Sequence, residues 1–288
     1  MIDYPVFTNE IPESYSLFIR TFGDLYHPLS GNKSFKLKFF IEHAKPGQTL
    51  LSFGGAWSNH LLALASAARK KSHPSVGIVR GEMPSVYNPI MLKMLENGMQ
   101  LHFISRSEYR SKAQDVFLQK LTVNYPDALV IPEGGAGING IHGAMEMVSE
   151  NEDYDFIILP VATGTTLAGI AKKLAGSKVK IIGIQVLKGQ NAIRKQLMES
   201  AAFDLNEYPN ICIIEDYHMG GYAKTNPALI SFLNDWNSNQ PCKLEQIYGA
   251  KAMLGVFDLI SKNYFPLNSK ILYIHTGGLG HLTAEAKW

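Results

Sequence analysis

With only two cysteines in 288 residues, Cys212 and Cys242, the chain cannot build a disulfide framework, and so sparing a use points to a reducing, cytoplasmic setting. An excess of either charge is equally lacking. Lys and Arg number 27 against 25 Asp and Glu, and a net +2 argues against nucleic acid or an anionic membrane as partner. No apolar run approaches the ~18 residues that a bilayer crossing needs. The start, Met-Ile-Asp-Tyr-Pro-Val, has no basic segment leading into an apolar one, so no signal peptide is expected. No His, Cys, Asp or Glu cluster has metal-ligand spacing, and His275 with His281 does not supply one. A Gly-x-Ser-x-Gly elbow and a Gly-x-x-x-x-Gly-Lys loop are both missing. Their absence removes the anchors of a hydrolase triad and of a triphosphate site.

What is present is core material: 46% apolar residues against 18% charged, in a length that suits one large or two smaller domains. After a loop-like start with a short strand at 16–19, strands are expected at 49–53, 76–79, 101–104, 129–131, 156–161, 180–186, 210–215 and 270–275. Helices are expected between them at 36–43, 61–70, 108–124, 143–150, 164–174, 192–198, 227–237 and 251–262. Asn88-Pro89 opens another, as N-cap and first-turn proline, with Gly98 as its stop. This alternation predicts βαβ units, hence two doubly wound α/β lobes with mostly parallel sheets. Ligands are expected in the crevice at the strand C-termini.

Three stretches can carry chemistry. In Ser30-Gly31-Asn32-Lys33-Ser34-Phe35-Lys36, a lysine sits in a polar turn before a helix. Lys36 and Lys38 nearby, with an apolar wall from Phe35, Leu37, Phe39 and Phe40, would lower the Lys33 pKa and make it a Schiff-base nucleophile. The plainer alternative is a solvated basic helix face. Ala162-Thr163-Gly164-Thr165-Thr166 follows a buried strand and opens a helix, so free N–H groups and hydroxyls converge where a phosphate fits. Ordinary threonine capping of a βα turn is the alternative. Ser58-Asn59-His60, after Gly54-Gly55, either caps a helix or grips a carboxylate or cofactor oxygen. Thr276-Gly277-Gly278-Leu279-Gly280 imitates a dinucleotide fingerprint, but only eight residues follow Gly280, so it reads as a tight loop over a ligand.

Taken in order, these motifs, with Gly220-Gly221-Tyr222, Gln246-Ile247-Tyr248 and His275-Thr276-Gly277-Gly278, resemble the 1-aminocyclopropane-1-carboxylate deaminase/D-cysteine desulfhydrase family. These are pyridoxal-phosphate enzymes of the tryptophan synthase β type, and the resemblance runs from about Ile19 to Leu282. It implies that Lys33 carries pyridoxal 5'-phosphate and that Asn59 bonds the cofactor's phenolic oxygen. Ala162, Thr163, Gly164, Thr165 and Thr166 would hold its phosphate. Ser58, Asn59, His60 and Thr276 would receive the substrate, with Ser58, Tyr222 and Tyr248 in proton transfer or ring packing. It further implies a larger lobe from residues 1–36 and 142–288, a smaller inserted lobe from 37–141, and a homodimer.

Two departures bear on the reaction. Deaminases of this family place a glutamate after the second tyrosine, against the pyridine nitrogen, where this chain has Gly249; and Thr276 matches the desulfhydrases. The expected activity is therefore a lyase acting on a small amino acid, D-cysteine first, with release of pyruvate, sulfide and ammonia. Deamination of 1-aminocyclopropane-1-carboxylate is the second reading. A cofactor- or metabolite-binding protein without turnover is the third.

Overall fold

The structure, a computed structural model, describes residues 1–112, 114–189 and 191–279. Its larger sheet contains β1 (Ile2–Pro5), β2 (Ser16–Thr21), β7 (Phe156–Val161), β8 (Lys180–Gln185), β9 (Ile211–Ile214) and β10 (Lys270–Ile274). They lie in the order β1-β2-β10-β7-β8-β9, all parallel but for β1, which pairs antiparallel to β2. The smaller sheet, in the order β5-β4-β3-β6, contains β3 (Leu50–Gly55), β4 (Ser75–Arg80), β5 (Met99–Ile104) and β6 (Leu129–Ile131), all parallel.

Parallel strands covered on both faces read as continuous apolar runs, and β7 does so: Ile157, Ile158 and Leu159 are fully buried. One face of the larger sheet packs on α9 (Pro227–Asn239) and α10 (Gly249–Ser261), through Leu233, Trp236, Met253 and Val256. The other packs on α6 (Ile138–Met145), α7 (Thr165–Lys173) and α8 (Ala192–Ala201), through Ala144, Leu167, Ile170 and Leu197. Each fully buried leucine or isoleucine stabilises this core by about 1.5–3 kcal/mol over its exposed state. The smaller sheet is covered by α2 (Asn59–Lys70) and α3 (Pro89–Glu96) on one side. On the other lie α4 (Arg106–Arg110) and α5 (Asp115–Asn124). Between the two sheets runs α1 (Asn32–Glu42). Among the described residues no helix is long and apolar enough to cross a membrane.

Three local expectations are corrected. Strand β1 was not anticipated: it is short, exposed and ends in a proline, and its anchor is Asp3, which accepts two bonds from Arg20 at 2.7 Å. The single helix expected over 108–124 is two. A straight helix would put Leu121 about 120° around from Tyr109, whereas the break lets both enter the same core with Phe53 and Ile78. The Ser105 capping box starts α4 and Ser111 ends it. The helix expected at 143–150 is α6, which begins five residues earlier. Gly143 is not a helix start but a contact point: a Cβ there would lie 1.9 Å from the Phe35 carbonyl oxygen on α1. Gly280 and His281 lie outside the described residues.

Candidate active site

A cavity of about 840 Å³ lies between the sheets, and Lys33, Ser58, Asn59, His60, Thr163 and Tyr248 line it. Thr276 of the closing loop, Tyr222, Ala162, Gly164 and Thr166 line it as well. Thr165 does not reach it. That side chain is buried at the start of α7, with its hydroxyl 3.4 Å from that of Thr163.

The lysine turn is built on close backbone approach. Gly31 has φ 58°, and a Cβ there would meet the Thr276 carbonyl oxygen at 2.3 Å. Asn32 N–H donates to that same oxygen at 3.2 Å, so the first and last motifs of the chain are one wall. Lys33, in the first turn of α1, donates from Nζ to Asn32 Oδ1 at 2.8 Å. Asn32 Nδ2 in turn donates to Thr166 Oγ1 at 2.9 Å. The amine and the threonine turn are thus joined through one asparagine. Burial pushes the Lys33 ammonium down to about 8, against the opposing pull of the Glu245 carboxylate.

At the other end of the cavity, Gly164 in the left-handed region (φ 82°) leads into α7, and no side chain caps that helix. Its first N–H groups and positive end are open to an anion. Because Thr166 Oγ1 accepts from Asn32, its own O–H remains available to donate. Lys36, which the sequence suggested only as a neighbour of Lys33, also belongs to this site. A Cβ on Gly134 would sit 4.0 Å from Lys36 Nζ and 3.3 Å from Thr163 Cγ2, so lysine and threonine converge beside that glycine. Lys36 is 2% exposed, and burial, then the charge of Lys33, hold its amine well below the ordinary lysine value. A bound phosphate would reverse that shift.

Ser58 is the N-cap of α2, accepting from Leu61 N–H at 3.2 Å, and so meets both readings of its motif: it caps, and it lines the cavity. His60 is constrained differently. Ser52 Oγ lies 2.8 Å from His60 Nε2 and 2.7 Å from the Ile131 carbonyl oxygen. The carbonyl accepts only, so Ser52 donates there and accepts from His60 Nε2–H. Burial and the two lysines keep the imidazole neutral, its pKa well below 6.5. Its buried Nδ1 is then an unpartnered acceptor, suited to a donor rather than to a carboxylate.

Tyr222 and Tyr248 face each other with ring centroids 6.3 Å apart. Burial raises both phenols, Tyr248 far more, so at neutral pH they are proton donors and not bases. The Tyr222 loop is held by Lys251, a fully buried lysine of α10 whose Nζ donates to the carbonyls of His218 and Gly221 at 3.0 and 2.7 Å. Glu245 was missed from the sequence. It is 2% exposed and accepts from the N–H groups of Ile247, Tyr248 and Gly249, capping α10. The signal that could have found it is a carboxylate just before a predicted helix start. Among the described residues no cluster could hold a metal ion.

These groups fit a phosphorylated aldehyde of cofactor size: a deprotonable buried amine at one end, an open helix N-terminus with Lys36 and threonine hydroxyls at the other. Comparison with known proteins agrees. The family model described as pyridoxal-phosphate dependent enzyme matches residues 23–277. A bifunctional D-cysteine desulfhydrase/1-aminocyclopropane-1-carboxylate deaminase of Arabidopsis thaliana is 28% identical, covering 93% of this chain and 74% of that protein. A 1-aminocyclopropane-1-carboxylate deaminase of a Bradyrhizobium species is also 28% identical, over 87% and 82%. The solved structure of an ACC deaminase homologue superposes with a TM-score of 0.74 at 22% identity, covering 92% of this chain and 85% of that one. The fold is the α/β, mostly parallel arrangement of tryptophan synthase β-like enzymes.

Proposed function

Starting from the fact that the chain belongs to the pyridoxal-phosphate dependent enzyme family, we propose that it is a lyase that opens a small amino acid at its β-carbon, with D-cysteine as the first candidate. The observation that carries this reading is the Lys33–Asn32–Thr166 chain of hydrogen bonds, which spans the distance between a reactive amine and an anion site. When bound, the cofactor supplies an electron sink for the substrate amine.

The protein's part is positioning and proton handling. With a pKa of about 8, roughly a quarter of Lys33 is neutral near pH 7.5, against about one part in a thousand at the ordinary lysine value. That amine would hold the cofactor's aldehyde and, when free, would be placed to accept the substrate's α-proton. Ser58 and Asn59, at the N-terminal end of α2, receive the substrate carboxylate. Tyr222 and Tyr248, both lining the cavity and kept protonated by burial, would donate hydrogen bonds to the bound substrate or cofactor. Phosphate is held by the start of α7, Thr163, Thr166 and Lys36. In total, D-cysteine and water give pyruvate, sulfide and ammonia.

Deamination of 1-aminocyclopropane-1-carboxylate to 2-oxobutanoate and ammonia is the second reading, favoured by the names of both relatives. A cytoplasmic homodimer goes with either. The test is a visible absorption spectrum of the purified protein, then borohydride reduction and mapping of the modified lysine, with both substrates assayed side by side. A cofactor band on Lys33 with sulfide and pyruvate from D-cysteine supports the first reading. 2-Oxobutanoate instead selects the second, and a band at any other lysine overturns both.

A further inference from the structure

The order of strands in the smaller sheet sets out what a substrate meets. Every strand ends at the cavity, so the residues after β5, β4, β3 and β6 stand side by side, with neighbouring strands about 4.8 Å apart. At the end of β3 stands Gly55, followed by Ser58 and Asn59 at the start of α2. On the β6 side lies Gly134, beside Lys36 and Thr163, where the phosphate belongs. The opposite side is therefore left for the substrate's side chain, and that side is basic. Arg80, the last residue of β4, is the register partner of Gly55 on β3 and of Ile104 on β5. Arg106 and Arg110 follow from α4, directly after β5. All three line the cavity.

Arg80 packs its guanidinium 5.6 Å above the ring of Tyr109, which is 3% exposed, and its Nη2 lies close enough to Gly55 that a Cβ there would meet it at 3.5 Å. Arg110 Nε donates to the Arg106 carbonyl at 3.3 Å, which keeps the two on one turn. Among the described residues none of the three is paired with a carboxylate. Glu133, the acid on that wall, pairs with Lys112 at 3.1 Å. Three arginines against the single acid Glu133 leave this concave wall with an excess of positive charge that raises the potential in the cavity. The α-carboxylate does not account for them, because Ser58, Asn59 and the start of α2 already serve it.

We propose that the preferred substrate is an amino acid whose side chain ends in a second acidic group, a carboxylate, sulfonate or phosphate, received by Arg80 with Arg106 and Arg110. This rests on the pyridoxal-phosphate reading above and narrows its substrate class: D-cysteine fills only the part of the site nearest Lys33. Guanidinium groups recognise such oxyanions by paired, charge-assisted hydrogen bonds.

The experiment is a titration of the holoenzyme's visible band with alanine, cysteine, aspartate and O-phosphoserine, each as both enantiomers, at low salt. The acidic compounds are expected to shift the band at concentrations about tenfold or more below their neutral counterparts, an advantage that shrinks in ~1 M salt. Arg80→Gln, and separately the Arg106→Gln/Arg110→Gln pair, are expected to narrow that ratio, with Arg80→Lys restoring part of it. Thermal melting of each variant checks that it is folded. Equal affinity for acidic and neutral compounds, or an unchanged ratio in Arg80→Gln, overturns the proposal and leaves the lyase reading standing. A preparation with no cofactor band at Lys33 overturns both.

Discussion

Asn32 donates from its side-chain amide to the hydroxyl of Thr166, two residues 134 positions apart in the chain. Between them they join the turn that carries the buried Lys33 amine to the uncapped N-terminal end of α7. Replacing Thr166 by Val keeps the shape but leaves the buried Asn32 Nδ2 without its acceptor. That costs about 1–3 kcal/mol of stability. It also removes the hydroxyl from the phosphate site. The expected result is a lower melting temperature for the apoprotein together with a cofactor dissociation constant raised about tenfold. Thr166→Ser should recover most of both, since the hydroxyl returns. An unchanged cofactor affinity in Thr166→Val would remove this residue from the phosphate site.

The amine of Lys33 gives a pH dependence of definite sign. Its folded pKa of about 8 lies below the ordinary 10.5, so between these values the unfolded chain binds more protons than the folded one. This group's contribution therefore disfavours the folded apoprotein below pH 8 and is relieved as pH rises through the window from 8 to 10.5. Lys36 adds to the same trend, its pKa being lowered as well. Chemical denaturation of apo wild type and of Lys33→Met across that range should show a gentler rise in the variant. The rate at which the apoprotein takes up pyridoxal phosphate should climb through pH 8 in wild type and vanish in Lys33→Met.

Glu245 and Leu244 leave little room for a side chain at Gly249. A Cβ there would come within 3.3 Å of Glu245 Oε1, and Gly249 N–H already donates to that oxygen. Placing a glutamate at this position, as in the deaminases that the chain resembles, would crowd two carboxylates at the buried start of α10. Gly249→Glu is expected to lose about 1–3 kcal/mol by overpacking and like-charge proximity. Gly249→Glu combined with Glu245→Gln should recover part of it. Denaturant titration of the two variants reads the difference, and equal stability of both would refute the contact.

The parallel sheets, most helices and the chemistry-bearing turns were legible because their signals are local. Apolar runs such as Phe156–Val161, the Asn88 cap and the Gly164 turn carry their own physics. What escaped depends on partners distant in sequence. Gly143 reads as the start of a helix until Phe35 on α1 is known to press against it. Tyr109 and Leu121 read as parts of one helix until their common core shows that the chain must break between them. Which nitrogen of His60 carries the proton cannot be read until Ser52, and through it Ile131, are seen to fix it. Lys36 and Glu245 were ordinary charges in the sequence; burial places the first in the cavity wall and the second beneath the start of α10.

The ion pairs that anchor β1 supply a last test, on acid stability. Arg20 is 5% exposed and bonds both Asp3 and Glu152, and Tyr154 donates its hydroxyl to Asp3 at 2.8 Å. Burial alone would raise the Asp3 carboxyl, but the bonds from Arg20 and Tyr154 outweigh it and hold the pKa below 3.8. A lowered carboxyl pKa contributes stability that is complete above the unfolded value and is lost as pH falls through the folded one. Urea titrations between pH 2 and 6 should therefore show wild type losing stability below about pH 4. In Asp3→Asn that component should be absent. Arg20→Met should be worse than either at neutral pH, by about 3 kcal/mol, because it leaves the nearly buried Glu152 and the partly exposed Asp3 without their shared cation. If Asp3→Asn follows the same acid profile as wild type, the N-terminal strand is held by its backbone ladder alone.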